Sequence, residues 1–335
     1  MPFTTHSTDN MFFNSLEAVF IIFALIGAGV FVAWRKWVSP ETAKAFPKVI
    51  INLAVPGTVV YSLYSHFTRQ QLIEAWLPLL IIFLVMPLAY LLGSVFARLF
   101  KVPATRRGVF VVLFSFSNSM FIGFPVAQAL FGDTGMPYAV FFFLANTTFF
   151  WLLGSYAIKR DADVIKGQHE RFRLREALAK LIQPPILTVF IMFVVIFAEI
   201  KLPDMILTTA RYIGNMTTPL SLIFIGCMIY DMGFEGMKWE KGIAQVLIGR
   251  FVIIPALCFG VCMLGIAVFA PSMSDEMTLM RNVFVMQISL PAMMQTAIVS
   301  ELYGADSQYA TKNVFFTMLV SLITIPVYMM LLQAL

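Results

Sequence analysis

The chain has 335 residues, of which 60% are hydrophobic and 12% are charged, and its formal net charge is +5. Soluble domains carry about 25% charged residues, so a soluble fold of this length would have to bury far more apolar surface than it can. Composition therefore excludes a soluble globular protein and indicates an all-α integral membrane protein. The positive excess lies in loops, which indicates topology and not nucleic-acid binding.

Ten segments are long and apolar enough to cross a bilayer, which takes about 20 helical residues. They are 16–34, 47–67, 76–99, 107–131, 136–158, 184–200, 206–230, 242–269, 279–302 and 312–333. Their connections are short except for a charged linker at 159–183. This linker divides the chain into a first five-helix repeat at 1–158 and a second repeat at 184–335.

Basic residues are distributed unevenly between the two sides of the predicted bundle. Of the 23 Lys and Arg, 18 lie in or beside the loops that follow odd-numbered spans, and four lie on the other side. Because cytoplasmic loops carry the excess of Lys and Arg, the linker is predicted to be cytoplasmic and both termini periplasmic, in a bacterial-type inner membrane. Five spans per half then invert the second repeat relative to the first.

Short matches between the two halves support an inverted repeat. An Asn-x-x-x-Pro pattern occurs in both the second and the seventh span, and two further Pro or Gly positions correspond at a slowly growing offset. The matched positions are Asn52 and Pro56 with Asn215 and Pro219, Pro87 with Pro255, and Gly132 with Gly304. The two Asn and Pro pairs are expected either to form a scaffold wall facing the substrate or to serve in helix packing, with packing favoured.

Two spans contain polar residues and prolines near their centres. The fourth reads Ser-Asn-Ser-Met-Phe-Ile-Gly-Phe-Pro over 117–125, and the ninth reads Gln-Ile-Ser-Leu-Pro over 287–291. Lipid cannot satisfy the peptide groups that a broken helix frees, so such breaks are tolerated where they are buried or line a cavity. Matching breaks in two halves are typical of a transporter's binding site.

The break residues predict the chemistry of that site. Free N–H groups at the start of a half-helix attract anions, and Asn118, Ser119, Gln287 and Ser289 add neutral donors and acceptors. Pro291, Pro125 and the flexible Gly123 are expected to keep the helices open, with the ninth broken across 287–289. The simpler alternative is that the amides only satisfy freed backbone groups and the prolines only bend the helices.

One charged residue, Arg250, lies well inside a predicted span, about eight residues into the eighth. Such a residue either pairs with an anionic substrate or extends to the membrane interface, and extension to the interface is the favoured interpretation. No carboxylate pair occurs at either break, which argues against cation exchange. The sequence shows no motif for a cofactor or a metal.

The paired break motifs resemble the signatures of the auxin efflux carrier family, which includes plant PIN auxin exporters and bacterial malate and malonate permeases. The resemblance implies a fold like those of bile-acid symporters and sodium–proton antiporters. In that fold a dimeric scaffold is formed by the first, second, sixth and seventh spans. The remaining spans form a moving transport unit, and the fourth and ninth spans cross beside the substrate.

Individual roles follow from the same resemblance. Asn118 matches the family's crossover Asn and Pro291 its crossover Pro, while Asn146 lies where plant carriers have a polar amide near the substrate. The expected function is therefore elevator-type transport of a small organic anion by a homodimer in the lipid bilayer. A sodium-coupled symporter of the same fold, a membrane receptor and a membrane enzyme are the alternatives.

Overall fold

A computed structural model of the chain describes residues 20–21, 24–43, 45–167, 182, 184–232, 239–270 and 274–334. Within these ranges the regular structure is helical, with one isolated antiparallel bridge. The helices are α1 (Ala24–Trp34), α2 (45–66), α3 (Trp76–Leu99), α4 (Arg107–Ser115), α5 (119–131), α6 (133–166), α7 (Pro184–Phe197), α8 (Asp204–Gly214), α9 (Thr217–Met232), α10 (243–269), α11 (Asp275–Ile288), α12 (Gln295–Tyr303) and α13 (Ser307–Ala334). Short helical turns at Pro40–Ala43 and Arg69–Glu74 precede α2 and α3.

Six helical stretches of the described chain are long and apolar enough to cross a membrane, as expected for an integral membrane protein. They are Glu41–His66, Arg69–Leu99, Ser119–Lys166, Asp204–Asp231, Ile243–Phe269 and Ser307–Leu332. Ser119–Lys166 is a continuous helix by hydrogen bonding, but Gly132 has φ 61° and ψ −159°, which divides it into α5 and α6. Helices lie within each of the ten predicted segments; the number of crossings and the inverted repeat remain predictions.

Wide helical turns occur just before three of the prolines. The π turns Ile50–Ala54, Ser119–Gly123 and Gly249–Ile253 each end two residues before a proline: Pro56, Pro125 and Pro255. A proline ring clashes with the carbonyl four residues earlier and provides no N–H for it. The wider turn relieves that crowding, so these helices continue past their prolines. Pro125 therefore lies inside α5 and not in an unwound segment.

The helices pack as two groups. In one group α2 packs against α7 and α8; in the other α3, α4, α6, α10, α11, α12 and α13 pack against one another. α9 packs against the start of α2 and against α5, and small residues let α1 approach α9 closely. A Cβ on Gly29 of α1 would lie 2.1 Å from the Ile223 carbonyl oxygen of α9, and one on Gly226 would lie equally close to Ile26 of α1.

The last turns of α6 hold the start of α4. Asp161 is buried, and its two carboxylate oxygens accept hydrogen bonds from the amides of Gly108 (2.9 Å) and Val109 (2.8 Å). These are first-turn amides that have no partner within their own helix. Residues 159–166, predicted as linker, are thus helical, with Lys166 the last residue of the helix. The linker residues 168–181 and 183 lie outside the described ranges.

Candidate functional site

The two broken helices cross at the centre of the second group, and their open segments pair with each other. Ser117 and Ala292 form an antiparallel bridge. The Asn118 amide donates to the Pro291 carbonyl at 2.9 Å, and the Met293 amide donates to the Phe116 carbonyl at 3.1 Å. Residues 116–118 and 291–293, here called the crossover, thereby satisfy backbone groups that lipid could not.

The boundaries of the breaks differ from the prediction. The ninth predicted span is helical through Ile288, so Gln287 lies in the last turn of α11 and the open segment is 289–294. Gly123 has φ −64° and ψ −47°, which are ordinary helical angles, so the expected conformational role is wrong. Glycine is needed at position 123 because there is no room for a side chain: a Cβ there would lie 2.1 Å from Gln287 Oε1.

Each open segment is held by a polar side chain from the second helix after it. Asn146 of α6 accepts from the Ser117 amide at 3.2 Å and donates to the Ser117 carbonyl at 3.0 Å and Ser119 Oγ at 3.1 Å. Thr317 of α13 accepts from the Ala292 amide at 3.1 Å. The predicted site residue Asn146 is therefore a buried clamp on the crossover.

Two of the five predicted substrate residues carry atoms left unpaired within the described structure. Asn118 Oδ1 caps α5 by accepting from the Phe121 amide at 3.4 Å, but its Nδ2 has no partner. Gln287 Nε2 donates to the Gly123 carbonyl at 2.7 Å, but its Oε1 has no partner. Ser289 Oγ is already used by the Met286 carbonyl at 2.8 Å. The site thus offers one buried amide donor and one buried amide acceptor.

Arg250 lies beside the crossover and not at the membrane interface, contrary to the favoured interpretation. Its side chain is fully buried. The guanidinium donates to the carbonyl oxygens of Leu290 (2.9 Å), Phe114 (3.3 Å) and Ile288. These carbonyls belong to the last turns of α4 and α11 and to the segment after α11, where helix dipoles are negative. Arg250 therefore neutralises the two C-terminal helix ends at the crossover.

No acidic side chain among the described residues pairs with Arg250. The buried carboxylate of Asp161 binds the opposite end of α4, and its partner Gly108 is about 9 Å of helix from Phe114 at 1.5 Å per residue. Within the same ranges, no three His, Cys, Asp or Glu side chains cluster as metal ligands would. The polar chemistry of the crossover is that of neutral amides, hydroxyls and one guanidinium.

A cavity of about 390 Å³ lies between the two helix groups, beside α5. That volume is in the range of small-molecule sites. Its wall includes Thr58 and Tyr61 of α2, Arg211 of α8, Asn215, and Phe124 of α5. The Arg211 guanidinium lies 5.5 Å from the centre of the Tyr61 ring, where a cation is attracted by the ring face. The lining also includes Asp133, which accepts from the Gln128 side chain at 2.9 Å, so the cavity has one basic and one acidic residue in its wall.

The cavity and the crossover are separate in this conformation. Asn118 is 2% exposed, and the ring of Phe121, in the first turn of α5, packs 5.8 Å from that of Phe224 in α9. Phe124, which follows Gly123, is the cavity residue nearest the crossover in sequence. In this conformation Asn118 is therefore closed to the cavity.

The four predicted scaffold residues do not share one surface. Asn215 lines the 390 Å³ cavity. Asn52 is exposed, donates to the Lys48 carbonyl at 2.8 Å, and lines a different, apolar groove together with Pro56. Pro219 is half-buried in the first turn of α9. The second and seventh spans thus present their matched Asn residues to different surroundings.

Comparison with known sequences gives the family. The sequence model of the membrane transport protein family matches residues 14–329. The chain belongs to this family. The resemblance to auxin efflux carriers is thereby confirmed, and the protein is a multi-pass membrane transport protein.

Two relatives match nearly full length. An uncharacterized transporter of Methanocaldococcus jannaschii is 27% identical over 321 residues, which cover 93% of this chain and 97% of the relative. An uncharacterized transporter of Methanothermobacter thermautotrophicus is 25% identical over 327 residues, which cover 95% and 98%. Family and relatives indicate a transporter and not an enzyme.

Sequence reasoning missed three parts of this site. Thr317 is one of many hydroxyls in apolar helices, and nothing in its local pattern distinguishes it. Arg211 is one of the four basic residues on the predicted periplasmic side, and the sequence gives no indication that it lines a cavity from α8. Arg250 carried a clear signal, a charge in mid-span, but its carbonyl partners come from segments 38 to 136 residues away in the chain.

Proposed function

We propose that this membrane transport protein is a secondary transporter of a small organic anion, such as malate, malonate or an auxin-like acid. Substrate binds at the crossover, and the α3–α6 and α10–α13 unit moves against a dimeric scaffold in elevator-type alternating access. The membrane is the inner or plasma membrane, with both chain termini on the periplasmic side. The family supports transport, and the geometry below supports the substrate class.

The observation that carries the proposal is the division of charge at the crossover. Arg250 neutralises the C-terminal ends of α4 and α11, whereas α5 and α12 begin there with positive N-terminal ends and no acidic partner among the described residues. A carboxylate complements those ends. Asn118 Nδ2 supplies a further donor to it.

The unpaired acceptor of Gln287 restricts the class of substrates further. Gln287 Oε1 is buried and can accept a hydrogen bond from a hydroxyl or N–H group. A buried polar group left unpaired disfavours ligands that lack the matching group. A carboxylate that also bears a donor, such as a hydroxy acid or an indole acid, fits both atoms.

The inverted repeat is part of the same proposal. Asn146 holds the first open segment and Thr317 holds the second, 171 residues later, close to the offsets between the matched positions of the two halves. Corresponding clamps on corresponding breaks support two five-helix repeats with ten crossings. They also support a transport unit whose two halves move as one body.

The main rival is a sodium-coupled symporter of the same fold. Such a site would use backbone carbonyls at half-helix C-terminal ends to coordinate the cation. Here the carbonyls of Phe114, Ile288 and Leu290 already accept from Arg250, a permanent cation. This arrangement favours an anion transporter without sodium at those carbonyls.

The test combines binding and flux. Purified protein is screened by thermal shift against malate, succinate, malonate and indole-3-acetate, with and without sodium, and ligands that bind are followed into proteoliposomes. Asn118→Ala is expected to reduce binding at least tenfold while the protein still folds. Asn52→Ala is the matched control, because that exposed Asn donates to a carbonyl of its own helix.

Malate is expected to stabilise the protein more than succinate, because it adds a hydroxyl donor. Equal flux in Asn118→Ala and wild type would refute the crossover as the substrate site. Strict sodium dependence would favour the symporter. Ligand binding without flux would favour a receptor, and turnover of a ligand would favour an enzyme.

A further inference from the structure

A second charged cavity lies at the far end of α4, away from the crossover. It has a volume of about 150 Å³ and is enclosed by the last turns of α3, the first turns of α4 and the last turns of α6. Arg98, Arg107 and Arg160 contribute to its lining, one from each helix. All three arginines are exposed, so basic residues of three different helices border one small surface cavity.

The acidic residue in this lining does not cancel the three charges. Asp161 is buried, and both of its oxygens accept from the α4 amides of Gly108 and Val109. Arg107 donates to the Val102 carbonyl at 3.4 Å, a long contact. Across the described residues, Arg98 and Arg160 form no hydrogen bond or ion pair. The cavity therefore holds three guanidinium groups against one carboxylate, and its lining carries a net positive charge.

Two hydroxyl-bearing side chains, Tyr156 and Ser94, border the same space. The Ser94 hydroxyl donates to the Tyr90 carbonyl of its own helix at 2.8 Å. Guanidinium groups bind phosphate oxygens in a planar, bidentate geometry, so the three arginines are the groups expected to bind the ligand. A volume of about 150 Å³ accommodates one phosphate group with its bound donors.

The surface beside the cavity is apolar. Leu91, Val95 and Leu99 follow one another at every fourth position on α3 and are about half or more exposed, and Val164 and Ile165 are exposed on α6. Residues four apart lie on one helix face. An exposed apolar stripe that ends at a cationic pocket matches a lipid, with acyl chain along the stripe and headgroup in the pocket.

The geometry points to a binding site for a phosphate-bearing anion in this cavity, the headgroup of an anionic phospholipid of the cytoplasmic leaflet being the source that the apolar stripe favours. The cytoplasmic side follows from the distribution of Lys and Arg. Basic pockets between transmembrane helices on that side bind anionic headgroups. The site is independent of the proposed substrate site, because it shares no residue with the crossover.

The experiment has two arms on the purified full chain in detergent. One arm titrates short-chain phosphatidylglycerol, with phosphatidylcholine of the same chain length as the zwitterionic control. The other arm titrates inorganic phosphate. Arg98→Gln and Arg160→Gln are compared with Arg35→Gln, an exposed arginine in the predicted cytoplasmic loop after α1 that does not line the cavity.

Each cavity substitution is expected to weaken phosphatidylglycerol binding about fivefold, since a basic residue near an anionic headgroup contributes about 1 kcal/mol. Arg160→Lys, which keeps the charge but not the bidentate geometry, should weaken binding less than Arg160→Gln, and its remaining affinity shows that the fold is intact. Arginine-dependent binding of inorganic phosphate as tight as that of the lipid would identify a soluble anion as the source. The proposal is overturned if wild type and all variants bind equally in both arms, or if phosphatidylcholine binds as well as phosphatidylglycerol.

Discussion

Arg250 is a buried cation whose partners are carbonyl dipoles. Moving a charged group out of water costs several kcal/mol, and the cost is offset when the group is fully hydrogen-bonded. Three carbonyl oxygens accept from this guanidinium, and hydrogen bonds to a charged group contribute about 1.5–3 kcal/mol each. The arginine and the broken helices therefore stabilise each other, because the guanidinium provides hydrogen-bond donors and the helix ends provide unpaired carbonyl acceptors.

Removal of this guanidinium is expected to destabilise the protein. Arg250→Met leaves three buried carbonyls unpaired and should lower the free energy of unfolding by about 3 kcal/mol or more. Thermal unfolding in detergent measures the change. Arg281→Met is the matched control, because that buried guanidinium donates to the Asn282 side chain and not to a helix break. A loss no larger than that of the control would contradict the role assigned to Arg250.

At the scale of elements, close helix approach depends on single glycines. Gly27 and Gly29 lie two residues apart in α1, but a Cβ on Gly27 would have no neighbour within 4 Å, whereas one on Gly29 would overlap the backbone of α9. The Cys227 thiol also donates to the Gly29 carbonyl at 3.4 Å. The two glycines therefore have the same helix propensity but different surroundings.

The pair gives a controlled test of α1–α9 packing. Gly29→Ala should lower the melting temperature by several degrees, because α1 and α9 must separate to admit the methyl group. Gly27→Ala should raise it slightly, because alanine favours helix by about 1 kcal/mol over glycine. The two shifts are measured from thermal unfolding curves of both variants and wild type in the same detergent. Equal melting temperatures would show that the α1–α9 contact adjusts without cost.

Much of the element pattern could be predicted from the sequence, and the reasons for the exceptions are physical. Apolar length placed α3 at residues 76–99, because burial in lipid depends on local composition. The break motifs located the crossover for a similar reason, since Asn, Ser and Pro destabilise a helix locally. The limits of the second break could not be predicted from the sequence. Residues 289–294 are held open by Arg250, by Thr317 and by the bridge from Ser117 to Ala292, and all three partners are distant in sequence.

At the scale of the whole molecule, orientation in the membrane is open to direct measurement. With both termini periplasmic, a cysteine at Thr134, exposed beside Gly132, should react with a membrane-impermeant maleimide added to intact cells. A cysteine at Gln168 in the linker should react only after the membrane is opened. The native Cys227, Cys258 and Cys262 are buried, so their background labelling should be low. The reverse pattern would overturn the topology.

The buried guanidinium has an electrical consequence for the proposed cycle. Arg250 lies in α10, within the unit proposed to move, so it would carry one positive charge across the membrane field in each direction. With a monovalent anion bound, the charge of Arg250 at the crossover is balanced; without the anion, the crossover carries one uncompensated positive charge. A potential of 100 mV changes the energy of one transferred charge by about 2.3 kcal/mol. The membrane potential would then act on the return of the empty unit and not on the step that carries substrate.

Exchange of labelled for unlabelled indole-3-acetate across proteoliposomes, which omits the empty return, should be insensitive to an imposed potassium diffusion potential, whereas net efflux should respond to it. If exchange and net efflux respond equally, the charge of Arg250 does not cross the field with the substrate.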